Sequence, residues 1–117
     1  MIEIYELPQG KITICFCDET ISIGLLELNP NQELPKHNRS VMEELVQVYG
    51  SCVMKIFQKD KIAQEVRLTE GKKLEIPANV FHMHSNPTNE KSITLWKFEG
   101  NIVDVIENIR NNSKRIL

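Results

Sequence analysis

The feature that most narrows what this chain can fold into is a rhythm: short runs of β-branched and aromatic residues, each stopped by a turn-forming cluster at roughly 8–12-residue spacing. Residues 11–17 (KITICFC) and 21–28 (ISIGLLEL) flank the break Asp18-Glu19-Thr20 and predict two antiparallel strands. Gly24, inside the second run, suggests a bulge or a close backbone approach. Asn29-Pro30-Asn31 then ends that run, because proline cannot donate to a central ladder. Residues 43–49 and 52–57 (EELVQVY, CVMKIF) flank Gly50-Ser51 and read as a tight hairpin. Lys59-Asp60-Lys61 is a charged turn before IAQEVRL, which Thr69-Glu70-Gly71 closes. Leu74 and Ile76 share a face, and Pro77-Ala78-Asn79 turns the chain into VFHMH. There, strand alternation puts Val80, His82 and His84 on one side and Phe81 and Met83 on the other. After a polar turn at residues 86–90, SITLWKF is a last strand carrying Trp96. Such a pattern belongs to an all-β sandwich or barrel.

Residues 101–117 differ in character. Ile102, Val105, Ile106 and Ile109 recur at helical spacing, Asn101 can cap, and Asp104 falls in the first turn, which together predict a short C-terminal helix. The β-branched content of residues 102–106 leaves an extra strand there as the competing reading. A chain of 117 residues has room for one domain, 1–117, with a barrel core over about 11–98 and an extension over about 101–117. With 14 Lys plus Arg against 16 Asp plus Glu, the net charge of -2 offers no sequence-wide attraction to nucleic acid or anionic lipid. The first residues lack a basic start followed by a long apolar stretch, and no apolar run approaches the roughly 20 residues that span a bilayer, so a cytoplasmic location and no membrane partner are expected. Cys15, Cys17 and Cys52 cannot all pair, and C-x-C is neither a zinc-knuckle spacing nor a thioredoxin motif. On one strand, Cys15 and Cys17 would share a face as small buried apolar groups, reduced as the cytoplasm keeps them.

Two stretches carry polar groups at spacings with chemical meaning. Residues 31–50 contain His37-x-Arg39-x3-Glu43-x6-Gly50, and a second stretch answers with Gly71-x5-Pro77-x-Asn79-x2-His82-x3-Asn86. Together they resemble, in spacing and residue type, the two motifs of the cupin superfamily, G-x5-H-x-H-x3,4-E-x6-G and G-x5-P-x-G-x2-H-x3-N, as found in small single-domain type-2 cupins. Three positions depart from the pattern: Asn31 stands at the first Gly, Arg39 at the second His, and Asn79 at the middle Gly. The resemblance implies a conical β-barrel of two facing antiparallel sheets, of jelly-roll type, and matches His37, Glu43 and His82 to the family's metal ligands. Arg39 occupies the fourth ligand's place but cannot coordinate, since a guanidinium stays protonated and has no lone pair.

Two imidazoles and a carboxylate remain a competent set for Fe, Mn, Ni, Co or Zn. His84, two residues past His82 and on the same strand face, is a further candidate: a ligand replacing the missing histidine, a hydrogen-bond donor behind the ligands, or a general base. Arg39 pointing inward would hold a carboxylate or phosphate through a bidentate pair; pointing outward, it would solvate its head at the barrel mouth. Glu44 faces outward by alternation. The expected function is therefore binding of a divalent metal together with a small, anionic molecule. If the chain is an enzyme, the resemblance implies metal-dependent oxygenase, isomerase or lyase chemistry, among which the fold does not choose. The rival is a barrel that has lost its metal along with one ligand, a binding or structural module in which Arg39 and the histidines hold an acid, a sugar or a nucleotide-sugar. Exposed strand edges favour a homodimer.

Overall fold

The computed structural model describes residues 2–117. Its elements in chain order are β1 (Glu3–Leu7), β2 (Gly10–Cys17), β3 (Ile21–Leu28), β4 (Gln32–Glu33), β5 (Glu43–Tyr49), β6 (Cys52–Gln58), β7 (Lys61–Leu68), β8 (Lys73–Ile76), β9 (His82–Asn86), β10 (Ser92–Glu99), α1 (Val103–Asn112) and β11 (Lys114–Arg115). They form two antiparallel sheets, one ordered β11-β1-β2-β3-β10-β5-β8 and the other β4-β9-β6-β7. Ile14, Leu26, Leu28, Leu45, Trp96 and Phe98 of the larger sheet share one core with Cys52, Met54 and Leu68 of the smaller. This is the jelly-roll arrangement that the strand rhythm and the paired motifs imply.

Local chemistry explains most of the turns. Between β2 and β3, Asp18 Oδ1 accepts from the N–H groups of Thr20 (2.7 Å) and Ile21 (2.9 Å). Opposite Gly24 the register of β2 shifts between Ile14 and Phe16, and a Cβ on Gly24 would collide with the Thr13 carbonyl and the Trp96 indole. Gly24 thus marks both a bulge and a close approach. The bulge makes Cys15 the extra residue, which alters the expectation for the two cysteines. Cys17 packs on the core and accepts a hydrogen bond from Ser22 (3.2 Å), whereas Cys15 does not join that packing. β6 and β7 form a true hairpin, its loop residues Lys59 (φ 50) and Asp60 (φ 64) both left-handed as the twist of such a turn requires.

Gly50-Ser51 does not form the expected hairpin. β5 pairs with β10 and β8 in the larger sheet, and β6 with β7 and β9 in the smaller, so the two residues carry the chain across from one sheet to the other. Apolar runs around a glycine look alike in a hairpin and at a corner; distant partners decide between them. Here, buried Gln47 donates to Ser92 Oγ (3.0 Å) and accepts from Thr94 Oγ1 (2.7 Å), which binds β5 to β10.

Asn31 (φ 58) and Asn79 (φ 66), the two positions where the motifs would have glycine, both adopt the left-handed conformation. Asparagine is among the residues that tolerate it best, so these departures preserve the turns. The sheet begins earlier than residue 11, because β1 pairs with β2 and buries Tyr5. Residues 103–112 are helical, which overturns the strand reading of 102–106: Ile102 and Ile106 bury against the barrel at helical spacing, and the cap residue is Ile102 and not Asn101, whose Oδ1 accepts the N–H of Val103 (3.0 Å) from one residue further out. Arg110 ties α1 to β1 through a fork on Glu3, with Nε at 3.0 Å and Nη2 at 2.7 Å from its two oxygens. No helix among the described residues is long and apolar enough to cross a membrane.

Candidate metal centre

His82 and His84 alternate on β9, so both point into the barrel, and they are only 1% and 4% exposed. His37 joins them from the loop after β4 because its backbone pairs reciprocally with His82, N–H to O at 3.0 Å and 2.8 Å. Glu43 opens β5, in the other sheet, and is 5% exposed. The cluster therefore spans both sheets and depends on the whole fold for its assembly. One nitrogen from each of the three imidazoles lies within 4.8 Å of the others. Glu43 Oε1 lies 3.1 Å from His82 Nε2 and 3.5 Å from His84 Nε2.

The tautomers follow from the acceptors. His37 Nδ1 is 3.0 Å from the Pro35 carbonyl, and His82 Nδ1 is 2.9 Å from the Val80 carbonyl. A carbonyl only accepts, so both Nδ1 atoms carry a proton, and each ring when neutral presents an Nε2 lone pair. Each ring is thus aimed by a carbonyl two residues upstream, the arrangement that orients metal-ligating histidines. For His82 the consequence is sharp. Its Nε2 lone pair and the Glu43 carboxylate are two acceptors 3.1 Å apart, and they require either an extra proton or a cation between them. His84 Nδ1 is buried with no hydrogen-bond partner, a polar atom whose burial is costly unless something satisfies it.

The electrostatics agree with a ligand set. Burial holds the His37 imidazole down to about 3, assisted by the charges of His84, Arg39 and His82, so the ring is neutral and its lone pair is available. Burial pushes the Glu43 carboxyl upward, but hydrogen bonds from His82 and His84, and their charge, outweigh it and keep the group ionised well below the usual carboxylate range. Three nitrogens and one carboxylate oxygen suit a first-row transition ion.

Arg39 lies beside this cluster, half-buried, its backbone carbonyl held by the Asn79 N–H at 2.7 Å. Burial pushes its pKa down and the charge of Glu43 counters that. Among the described residues it forms no salt bridge, and Nη1 donates to the Asn38 carbonyl at 3.2 Å. His37, Arg39, Glu43 and His84 line one cavity of about 60 Å³, while His82 sits behind His37 with ring centroids 4.5 Å apart. The remaining wall is apolar and includes Trp96, Phe98 and the α1 residues Ile106 and Ile109. That α1 closes the site was not read from the sequence: its periodicity signals a buried face but not which surface it covers. Glu44 faces away, near Lys97.

A jelly roll with inward imidazoles from one sheet and its adjoining loop, facing a carboxylate from the other sheet, has the cupin arrangement, and comparison with solved structures shows the same fold. The chain superposes on a RmlC-like cupin from Shewanella frigidimarina with a TM-score of 0.75 at 18% identity, covering 90% of this chain and 89% of that one. It superposes on oxalate decarboxylase of Bacillus subtilis, a protein with Mn(II) centres, with a TM-score of 0.73 at 22% identity, covering 82% of this chain and 27% of that one. The chain thus spans about a quarter of the decarboxylase. A cupin domain from Bordetella pertussis gives a TM-score of 0.65 at 18% identity, covering 80% of this chain and 95% of that one. At such identities the likeness carries the fold alone. No protein-family model matches the sequence, and no curated protein matches it.

Proposed function

We propose that this chain binds one divalent transition-metal ion through His37, His82, His84 and Glu43, and takes a small carboxylate between that ion and Arg39. The observation that carries the reading is the proton count: the buried pair of acceptors, His82 Nε2 and Glu43 Oε1, lies 3.1 Å apart in a cluster of three imidazoles. A cation satisfies both acceptors at once, and it can also recruit His84. Arg39 supplies the second half. A half-buried guanidinium that forms no salt bridge among the described residues and lines the same cavity as the cluster is suited to a small planar anion. The Mn(II) of oxalate decarboxylase makes manganese the first ion to try. When bound, such an ion would act as a Lewis acid on a ligand oxygen, which is the basis of lyase and oxygenase chemistry alike.

The test is calorimetric. Chelator-stripped protein is titrated with Mn²⁺, Fe²⁺, Co²⁺, Ni²⁺ and Zn²⁺, and the loaded protein is then titrated with acetate and with oxalate, each beside Arg39→Ala. The expected result is saturable ion binding and a loss of about 10- to 100-fold in anion affinity in the variant, the worth of a charge-assisted hydrogen bond. Equal anion binding by both proteins would remove Arg39 from the site. Absence of ion binding with retained anion binding would favour the metal-free module.

A further inference from the structure

We propose that the outer face of the larger sheet is where two copies of this chain pack together, face to face, about a two-fold axis that crosses the strands at Leu95. The contact is between sheet faces and not between the open strand edges from which the sequence suggests pairing. It is independent of the metal reading above.

An antiparallel sheet with one side in water alternates apolar and polar residues. The central strands β3, β10 and β5 do not. Their inward positions fill the core, where Leu26, Leu28, Leu45, Trp96 and Phe98 are buried. Their outward positions are apolar too, with Ile23, Leu25, Ile93, Leu95, Val46 and Val48 alternating against that buried set. The three strands are neighbours, and the register sets Leu25, Leu95 and Val46 in one row across them. Strands apolar on both parities suit a sheet covered on both faces. Within one copy this face stays open: Val48 is 48% and Tyr49 52% exposed. Tyr49 pairs with outward Ile93, and the exposed Phe16 pairs with outward Ile23, each beside a register shift, so two bulges add aromatic rings to the same patch.

The occupant is a second copy because the face fits itself. Its charges stand at two ends, Glu27 with Lys91 (3.7 Å) at one, and Lys97 with Glu99 (2.7 Å) and Glu44 (3.9 Å) at the other. A two-fold axis across the strands lays Leu95 on the partner's Leu95 and turns each end over the opposite one. Lys97, two residues from the axis, then falls over the partner's Ile93, whose cross-strand neighbour is the partner's Glu27. Symmetry repeats this contact of opposite charges on the other side of the axis, so the pairing is complementary as well as apolar. The area is sufficient. Strands of four to eight residues in β1, β2, β3, β10, β5 and β8, at ~4.8 Å between strands and ~3.3 Å per residue, cover roughly 600 Å² in plan. Side-chain relief brings that close to the ~800 Å² per partner of a stable interface, with the expected apolar centre and charged rim.

Sedimentation equilibrium of the full chain at micromolar concentrations tests the proposal, with circular dichroism to confirm that each variant is folded. The wild type should have twice the mass of the chain. Val48→Glu places a charge at a half-exposed position that a single copy tolerates, and Leu95→Lys sets like charges against each other at the axis. Each should weaken the dimer roughly 30-fold or more, as loss of a central contact does. Ile62→Lys, at a 49% exposed position on β7 of the smaller sheet, should leave association unchanged. Lys97→Glu should weaken the dimer, and Lys97→Glu combined with Glu27→Lys should restore it. A wild type that stays monomeric overturns the proposal and leaves the face to a different protein. A dimer indifferent to Val48→Glu, or as sensitive to Ile62→Lys as to Val48→Glu, overturns it equally, and a double variant no tighter than Lys97→Glu alone overturns the axis.

Discussion

Exchanging Glu43 for Gln separates a metal ligand from a structural ion pair, because the two roles predict opposite outcomes. In the metal-free protein His82 Nδ1–H is committed to Val80, so the 3.1 Å contact between His82 Nε2 and Glu43 Oε1 holds an extra proton in a buried place. A glutamine side chain has the same shape as the glutamate, and its amide N–H can donate to the neutral Nε2, so in Glu43→Gln the contact survives with no charge buried. The metal-free variant should therefore melt within about 4 °C of wild type, equivalent to about 1 kcal/mol in a domain of this size. Ion binding should suffer instead. Losing the charged acceptor costs roughly 1.5–3 kcal/mol, or about 30-fold in affinity. At an ion concentration of 100 times the wild-type dissociation constant, the wild type gains about 2.7 kcal/mol, about 11 °C in Tm. The variant, at only about three times its own constant, gains about 0.9 kcal/mol, roughly 3–4 °C. Scanning fluorimetry with chelator and with excess Mn²⁺ reads both quantities. A fall of about 12 °C or more in the chelated variant, the cost of breaking a buried structural pair, with an unchanged ion-induced shift, would refute the reasoning.

Other consequences are independent of the metal. Glu3→Gln should lower stability by about 1–2 kcal/mol near neutral pH, a figure already reduced for the partial exposure of Arg110. The hydrogen bond from Arg110 holds the Glu3 carboxyl at about 2 against an ordinary 4.5, so its contribution is present above 4.5 and lost as pH falls toward 2. The difference in Tm between wild type and variant should accordingly shrink over that window, and a difference that grows on acidification contradicts the assignment. Asn86 donates to the carbonyls of Leu28, Asn29 and Glu90 and accepts from Thr88. Asn86→Ala should cost about 3 kcal/mol, because buried carbonyls lose their donor. Urea denaturation with an unchanged midpoint would show that water replaces the side chain.

Much of this fold was legible because it is written locally. The runs around Asp18-Glu19-Thr20, Lys59-Asp60 and Pro77-Ala78-Asn79 are turns whose residues suit their backbone angles, and strand alternation alone places His82 and His84 on one inward face. What failed was decided at a distance. Gly50-Ser51 reads the same whether β6 folds back on β5 or crosses to β9, and only the pairing of β5 with β10 settles it. The bulge at Cys15 shifts the parity of β2 opposite Gly24, whose backbone lies against the indole of Trp96, far along the chain. The short run at residues 3–7 gave no strand signal by itself, since its partners are β2 and the last residues of the chain. In the site, motif spacing indicated His37, Glu43 and His82, but not how closely His84 shares Glu43, nor that α1 would form the wall facing them. Arg39 was legible as a departure from the pattern; its place in the cavity is set by the Asn79 turn, which pins its backbone.

The central claim, a metal held by imidazoles from one sheet and its adjoining loop and by a carboxylate from the other sheet, is tested most directly by elemental analysis. Protein purified without chelator, and protein reconstituted with Mn²⁺, Fe²⁺, Co²⁺, Ni²⁺ and Zn²⁺ in turn, would be compared with His84→Ala and His37→Ala. The account predicts near-stoichiometric metal in the wild type and loss in both variants, with the retained element narrowing the reaction class. Retention of no ion after any reconstitution, or equal retention by wild type and variants, would contradict it.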